Sequence, residues 1–365
     1  MTGARTLFQL PEGGPYLLAH SAGALPLATR ARLEATVLGP WGIKGSDAWE
    51  DWLGAIDDFR ASLAGLLGGQ AADYCPQANN SAALFRLLSA LPPEPGRNRL
   101  VASEQSFPSI GFAMGALDRL GYRLDLLTGD PANVETWGAA IGPDVAAVVA
   151  MHVHSNSGAV SPIADIVALA HGAGAIAIAD VAQSAGILPV NLPAWGVDAA
   201  IGSCLKWLCG GPGAGWLWAD PALTARAQPI EVGWFSHAEP FAFDIRDFRY
   251  APDARRFWGG TPSIAPYALA TGGITTIAGV GAQKVLAHNR RLIARVVERT
   301  GDRWFAPDRS GFGGTLCITA DADVETALRA GGCQVDRRGP VLRLSFHIYN
   351  DAAEADLVGE ILAGC

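Results

Sequence analysis

Between about residue 98 and residue 220 the sequence alternates short apolar runs with stretches of helical periodicity. This alternation narrows the possible folds more than any other feature. "RLVASE" precedes a helix candidate at 109–121, and "AAVVAMHVH" precedes "IADIVALAHGAG"; "AIAIAD", "DAAIGSC" and "AGWLWAD" follow in turn. Strands that are apolar along their whole length must be covered on both faces, and the intervening helices supply the cover. The expectation is an α/β protein with a mostly parallel sheet. Ligands of such sheets gather beyond the carboxyl ends of the strands, which singles out Asp180 at the end of "AIAIAD".

The flanking regions fill in the organisation. Residues 50–67 and 80–91 read as amphipathic helices. After "FWGGTPSIAP", residues 265–298 read as one long helical region carrying the basic run "HNRRLIARVVER". A small C-terminal α/β domain should follow. It would have a strand near "GTLCITA", a helix near 323–331, strands near "CQVD" and "VLRLSF", and a last helix from about 352. The expected division is an N-terminal segment, 1–48, packing with the small domain; a large cofactor-binding domain, 49–262; and the small domain, 263–365. With 365 residues, half of them hydrophobic (50%), the chain can bury a large core.

Bulk chemistry removes several function classes. A net charge of −8 offers no basic surface for nucleic acid or anionic membrane. The six cysteines, at 75, 204, 209, 317, 333 and 365, form no CxxC pair, so neither a disulfide framework nor a zinc site is expected. The start, "MTGARTLFQLPEGGPY", lacks a signal-peptide core, and no uninterrupted apolar run reaches the length of a membrane span. A cytoplasmic protein with reduced thiols is the expectation.

The segment "GSCLKWLCGGPGAGWLW" holds a single charged residue, Lys206. An unpaired ammonium in apolar surroundings either snorkels to water or shifts toward neutrality. A neutral amine can also be a nucleophile, tied up as an imine with a bound aldehyde. Pyridoxal phosphate asks a protein for such a lysine, for an acid opposite its pyridine nitrogen, and for phosphate donors. Asp180 alone reads equally well as a helix N-cap; together with Lys206 it matches the first two demands. Gly210, Gly211, Gly213 and Gly215 do not follow the strand-to-helix order of a dinucleotide fingerprint and suit a tight turn after the lysine.

The stretch "IADVAQSAGILPVNLPAWGVDAAIGSCLKWLCGGPGAGWLW" resembles the cofactor-lysine region of class V pyridoxal-phosphate enzymes, and most of all kynureninases. "VGWFSHAEPFAF" and "RRFWGGTPSIAP" are similar to kynureninase segments, and "RLSFHIYN" to the C-terminal pattern of class V enzymes. The resemblance implies a fold-type I enzyme using pyridoxal 5'-phosphate. Lys206 would form the Schiff base, Asp180 would pair with the pyridine nitrogen, and Gln183 would hydrogen-bond the phenolic oxygen. Asn80 and Ser81 would lie at the phosphate-binding helix start, Phe107 in "SFPSIG" would stack on the ring, and His154 would lie beside the cofactor. Trp234 and Thr261 would reach the phosphate of the neighbouring subunit, implying a homodimer with shared active sites. Arg343 in "VLRLSF" would clamp the α-carboxylate of a small amino-acid substrate, and His20 would line the substrate side.

The sequence departs from kynureninases at several points. Leu205 replaces a tyrosine that contacts the phosphate and takes part in proton transfer; Met151 replaces a serine, and Ile110 an acid. His20 in "AHSAGALP" takes an asparagine position, and "WGIKGSDAWEDW" diverges from the substrate loop. Kynureninase-like cleavage of the Cβ–Cγ bond is the expected reaction. The alternatives are a class V aminotransferase, a β-lyase or desulfurase on another amino acid, and a catalytically silent cofactor-binding protein. A desulfurase needs a mobile nucleophilic cysteine; Cys333 lies upstream of Arg343 but in an apparent strand, and Cys209 reads as a packing residue. His152 and His154 share a strand face, with no third ligand at a suitable spacing, so no metal is expected.

Overall fold

A computed structural model of the chain describes residues 3–304 and 311–365. Its centre is a seven-stranded sheet of β1 (Tyr74–Gln77), β2 (Arg99–Ser103), β3 (Arg123–Leu127), β4 (Val145–Met151), β5 (Ile176–Asp180), β6 (Ala199–Ser203) and β7 (Gly215–Ala219). The spatial order is β1-β7-β6-β5-β4-β2-β3. β3, β2, β4, β5 and β6 run parallel; β7 alone runs against them, pairing antiparallel with β6 and with the edge strand β1. This is the α/β architecture that the apolar runs demanded. β1 and β7 are buried throughout, which explains why their sequences do not alternate.

Helices cover the sheet through apolar stripes at helical spacing. In α1 (Trp49–Leu67) the buried face is Ile56, Phe59, Leu63 and Leu67; in α2 (Asn80–Ser89) it is Ala83, Leu84, Leu87 and Leu88. α3 spans Pro108–Gly115 and then tightens into 3₁₀ turns up to Leu120, within the stretch expected as one helix. The helical region after residue 264 is two helices, α4 (Ala265–Val280) and α5 (Ala282–Thr300). Gly281 separates them with φ of +93°, a left-handed conformation that ends the first helix.

The C-terminal residues form a second, antiparallel sheet of β8 (Thr315–Thr319), β9 (Asp336–Arg338) and β10 (Val341–Ser345), in the order β8-β10-β9. Its strands pack on α5 and on α6 (Ala352–Gly364) through Leu292, Val296, Leu316, Leu342, Leu344 and Val358. β9 begins later than "CQVD" suggests. Gln334 is instead taken by the N-terminal chain: its carbonyl accepts from Leu17 N at 3.1 Å, and its N–H donates to Pro15 O at 2.9 Å. Ser345 N donates to Leu17 O at 2.9 Å, so the N-terminal segment is stitched along this second sheet. A third apolar cluster, including Phe8, Ala19, Trp207, Ile348 and Tyr349, ties that segment to the lysine loop. No described helix is long and apolar enough to cross a membrane.

The start of α2 rests directly on β7. A Cβ added at Gly215 would lie 2.7 Å from Asn79 Cα, a backbone atom with nowhere to move. Gly215→Ala should destabilise the protein by about 1–3 kcal/mol, the usual cost of overpacking, seen as a lower urea midpoint at unchanged slope.

Candidate active site

The site begins at the carboxyl edge of the parallel strands. Asp180 ends β5 and pairs in register with Met151 of β4 and Ile201 of β6. The chain leaving β6 reaches Lys206 three residues later and then reverses into β7. An amine and a carboxylate from adjacent strand ends are thereby delivered to the same edge.

Lys206 is one of three lysines in the sequence, and Lys44 is spent on a surface pair with Asp51 at 2.7 Å. The Lys206 Nζ lies 5.9 Å from the centre of the Phe107 ring. Among the described residues no hydrogen bond or salt bridge ties it down. Burial lowers its pKa; Asp180 opposes that shift, while Arg338 and Arg343 add to it. The result is an amine biased toward its neutral, nucleophilic form.

Asp180 is buried, and its Oδ1 accepts from Ala182 N at 2.9 Å and Asn80 Nδ2 at 3.0 Å. Burial raises its pKa against these hydrogen bonds and the charge of Lys206. The Asn80 side chain therefore faces Asp180, unlike the phosphate contact implied by the resemblance. The reason is local: Asn79 is the N-cap of α2, its Oδ1 accepting from Ala82 N at 2.9 Å. The backbone N–H groups of Asn80 and Ser81 precede the first intrahelical bond, which Ala83 N makes to Asn79 O. They remain available to an anion.

Gln183 Nε2 donates to His20 O at 3.1 Å, joining the lysine side of the site to the N-terminal segment. Its Oε1 and the Asn80 Oδ1 are buried without hydrogen-bond partners. Half-satisfied buried amides are costly. Two of them near Asp180 mark a space suited to a polar group, and these residues fit pyridoxal phosphate. Phe107, at the start of α3, is 37% exposed and so can cover a planar ring. Its N–H donates to Met151 Sδ at 3.1 Å.

The opposite wall comes from the C-terminal sheet. The register of β9 with β10 sets Asp336 opposite Arg343. Arg343 Nε and Nη2 donate to the two Asp336 oxygens at 2.9 and 2.5 Å, and Nη1 donates to Ser155 O at 3.1 Å. The guanidinium expected to clamp a substrate carboxylate thus already holds an internal one. His20 sits behind this pair, with Nε2 2.9 Å from Asp336 Oδ1 and Nδ1 2.6 Å from Ser345 Oγ. Burial lowers the His20 pKa despite Asp336. Burial alone would raise that of Asp336, but hydrogen bonds from His20 and Arg343 outweigh it and hold the carboxyl well below its usual range. Arg338 Nη1 donates to Ser155 Oγ at 3.1 Å and Asn156 Oδ1 at 3.2 Å, and its Cζ lies 5.2 Å from the Phe107 ring centre.

His154 is engaged by Ser161 Oγ at 3.0 Å and Gln105 O at 3.3 Å, while His152 packs 4.7 Å from the Trp195 ring centre, so the two do not converge. Thr261 is exposed, and Trp234 belongs to an aromatic cluster with Trp49, Phe235, Phe241 and Phe243. Among the described residues no hydrogen bond or ring contact joins either to Lys206 or Asp180. Sequence reasoning missed Asp336, Arg338 and Ser155. A signal for the first two existed in "VDRRGPVLR", where opposite charges flank a Gly-Pro turn at hairpin spacing.

The depressed Lys206 pKa sets a pH dependence. Below the folded-state value both folded and unfolded chains carry the ammonium, so the full penalty for burying it applies; above the ordinary 10.5 both are neutral and the penalty is gone. In the cofactor-free protein, Lys206→Met should therefore raise stability at pH 7. Denaturant titrations should show that gain shrinking as the pH climbs toward 10.5.

Comparison with known proteins agrees with this arrangement. The family Aminotransferase class-V matches residues 82–302. The kynureninase of Pseudomonas fluorescens is 34% identical over 287 residues, covering 75% of this chain and 67% of that protein. That of Deinococcus radiodurans is 33% identical over 268 residues, covering 71% and 64%. The chain thus spans about two thirds of these relatives. Among solved structures, the apo cysteine desulfurase from Thermococcus onnurineus NA1 superposes with a TM-score of 0.86 at 19% identity, over 100% of this chain and 97% of that one. The cystine C–S lyase C-DES with cysteine persulfide gives 0.85 at 19%, over 96% and 98%. These two likenesses establish the shared fold. A lysine and an aspartate at neighbouring strand ends, a helix start free for phosphate and the family match lead to one conclusion: the chain belongs to the class V aminotransferase family and is a fold-type I, pyridoxal-phosphate-dependent enzyme similar to kynureninases.

Proposed function

We propose that the enzyme acts on an α-amino acid and cleaves its Cβ–Cγ bond by hydrolysis, as a kynureninase does. The observation that carries this reading is Lys206 Nζ over the Phe107 ring, with Asp180 at the end of the neighbouring strand and the Arg338 guanidinium over the same ring. Pyridoxal phosphate, when bound, supplies an electron sink for the substrate's α-carbon. Asp180 holds a proton at the pyridine nitrogen. The backbone N–H groups of Asn80 and Ser81 bind the phosphate. Lys206 Nζ, biased toward the neutral amine, removes the α-proton. The Arg338–Arg343 wall orients the α-carboxylate.

The apolar strip of Phe241, Phe243, Ile245 and Phe248 is exposed beside Trp234, with Ile245 97% accessible. A surface of this kind supports a homodimer in which Trp234 and Thr261 complete the neighbour's site. Cys75, Cys204, Cys209 and Cys333 are buried as free thiols, which suits the reducing cytoplasm. Cys333 is buried, and burial pushes its thiol pKa up to about 11, which disfavours a desulfurase nucleophile. An aminotransferase remains the second reading, because Leu205 carries no proton at a position where kynureninases use tyrosine.

Purified holoenzyme given L-kynurenine should release anthranilate and alanine. Formation of a keto acid, with the cofactor left in its amine form, would move the assignment to transamination. Lys206→Ala should abolish turnover and the absorbance of the lysine-bound cofactor. Leu205→Tyr should raise the kynurenine cleavage rate by roughly tenfold or more, within the range typical of a positioned proton donor.

A further inference from the structure

We propose that His347 is a positioning residue for Lys206. Its imidazole N–H holds the carbonyl next to the reactive amine and so fixes the turn from which that amine reaches the cofactor. This rests on the reading of Lys206 as the residue that bonds to pyridoxal phosphate.

The first argument is how the lysine is held. Among the described residues no hydrogen bond or salt bridge fixes the Lys206 Nζ, so its place is set by the backbone that bears it. Three successive carbonyls of that backbone are tied down. Leu205 O accepts from Gly23 N at 2.8 Å, Lys206 O from Cys209 N at 3.0 Å, and Trp207 O from His347 Nε2 at 3.0 Å. The turn is strained, because Cys209 has φ of +53°, which is uncommon for a residue with a side chain. A strained turn relaxes unless contacts from outside hold it, and those contacts come from Gly23 and His347. Among the described residues no backbone N–H serves Trp207 O, and its other donor, Cys209 Sγ, is 3.9 Å away.

The second argument is that the imidazole has one usable form. Nδ1 accepts from Ile348 N at 2.7 Å, so the proton resides on Nε2, the nitrogen that faces Trp207 O. Burial pushes the His347 pKa down to about 4, against the hydrogen bond to Trp207, and the ring is therefore neutral near pH 7. It stacks on two aromatic rings, 5.5 Å from Trp207 at 24° and 4.9 Å from Tyr349 at 9°. A wholly apolar ring would fill this space without burying two ring nitrogens. What histidine adds is the donor.

The step it serves is simple. The neutral Lys206 amine attacks the aldehyde carbon of the cofactor; a carbon–nitrogen double bond forms, and the aldehyde oxygen leaves as water with the two amine hydrogens. The charged or titratable groups that face Lys206 are Asp180, Arg338, Arg343 and His20. Replacing the neutral His347 removes no charge, so a changed pH profile reports where the amine sits.

The test mixes cofactor-free protein with pyridoxal phosphate and follows the absorbance of the lysine-bound cofactor as it forms, from neutral to alkaline pH. His347→Phe keeps a stacking ring and loses the donor. The turn slackens, the amine gains water, and its burial-lowered pKa moves back toward the ordinary 10.5. The pH midpoint of imine formation should therefore rise by about one unit, a slowing of about tenfold at neutral pH. His347→Gln, which presents an N–H at a similar reach, should recover most of that loss. In the wild-type protein, nuclear magnetic resonance of labelled histidine should show a slowly exchanging Nε2–H on a neutral His347.

A midpoint unchanged in His347→Phe, with only the melting temperature lowered, would overturn the proposal. So would a midpoint raised equally in His347→Gln. A wild-type Nε2–H that exchanges freely with water would overturn it too, even if neither variant folds. A wild-type protein that forms no imine with pyridoxal phosphate, or a Lys206→Ala protein that still does, would instead overturn the reading of Lys206 and the proposal with it.

Discussion

The pairing register between β5 and β6 is the constraint on which the site depends. Asp180 lies opposite Ile201, and this alignment brings the end of one strand level with the loop that carries Lys206. A slip by one residue would turn Asp180 to the other face of the sheet and separate the carboxylate from the amine. Buried apolar residues on both faces hold the register, so the sheet's packing energy fixes the catalytic geometry. The Asp180 Oδ1 bonds to Ala182 N and Asn80 then set the carboxylate's orientation.

Two clusters of different origin meet at Phe107, whose ring lies near both Lys206 and Arg338. The first comes from neighbouring strand ends in one sheet. The second is assembled from segments far apart in the chain: His20, Ser155, Asp336, Arg338 and Arg343, knitted by hydrogen bonds and one half-buried ion pair. Gln183 bridges the two by donating to His20 O. On the second side the Arg343 guanidinium is met by Asp336, while among the described residues no carboxylate pairs with Arg338.

Much of this was legible in the sequence. Continuous apolar runs between helices gave the sheet and its direction, and an isolated lysine among glycines marked the residue that lies at its carboxyl edge. What stayed hidden depends on side-chain direction or on pairing between distant segments. Asn80 and Asn79 are equally good cap residues in sequence, and only the helix start decides which one caps and which turns to Asp180. The engagement of Arg343 by Asp336 follows from hairpin register, which the "RRGP" turn suggests but does not fix. Gly281 sits inside an otherwise helical pattern, so only its backbone conformation reveals the break. Trp234 and Thr261 have no role within one chain that composition could indicate.

The stitching of the N-terminal segment onto the last sheet has a consequence for biosynthesis. Leu17 bonds to residues 334 and 345, and His20 leans on Ser345. The lysine loop packs against Phe8, Ala19, Ile348 and Tyr349, so it too is completed only when the C-terminal residues are free of the ribosome. The cluster of His20, Asp336 and Arg343 likewise has no existence until residue 345 is free of the exit tunnel and the waiting N-terminal strip can close against it. A nascent chain thus completes both sides of the Phe107 site together, at the end of its synthesis.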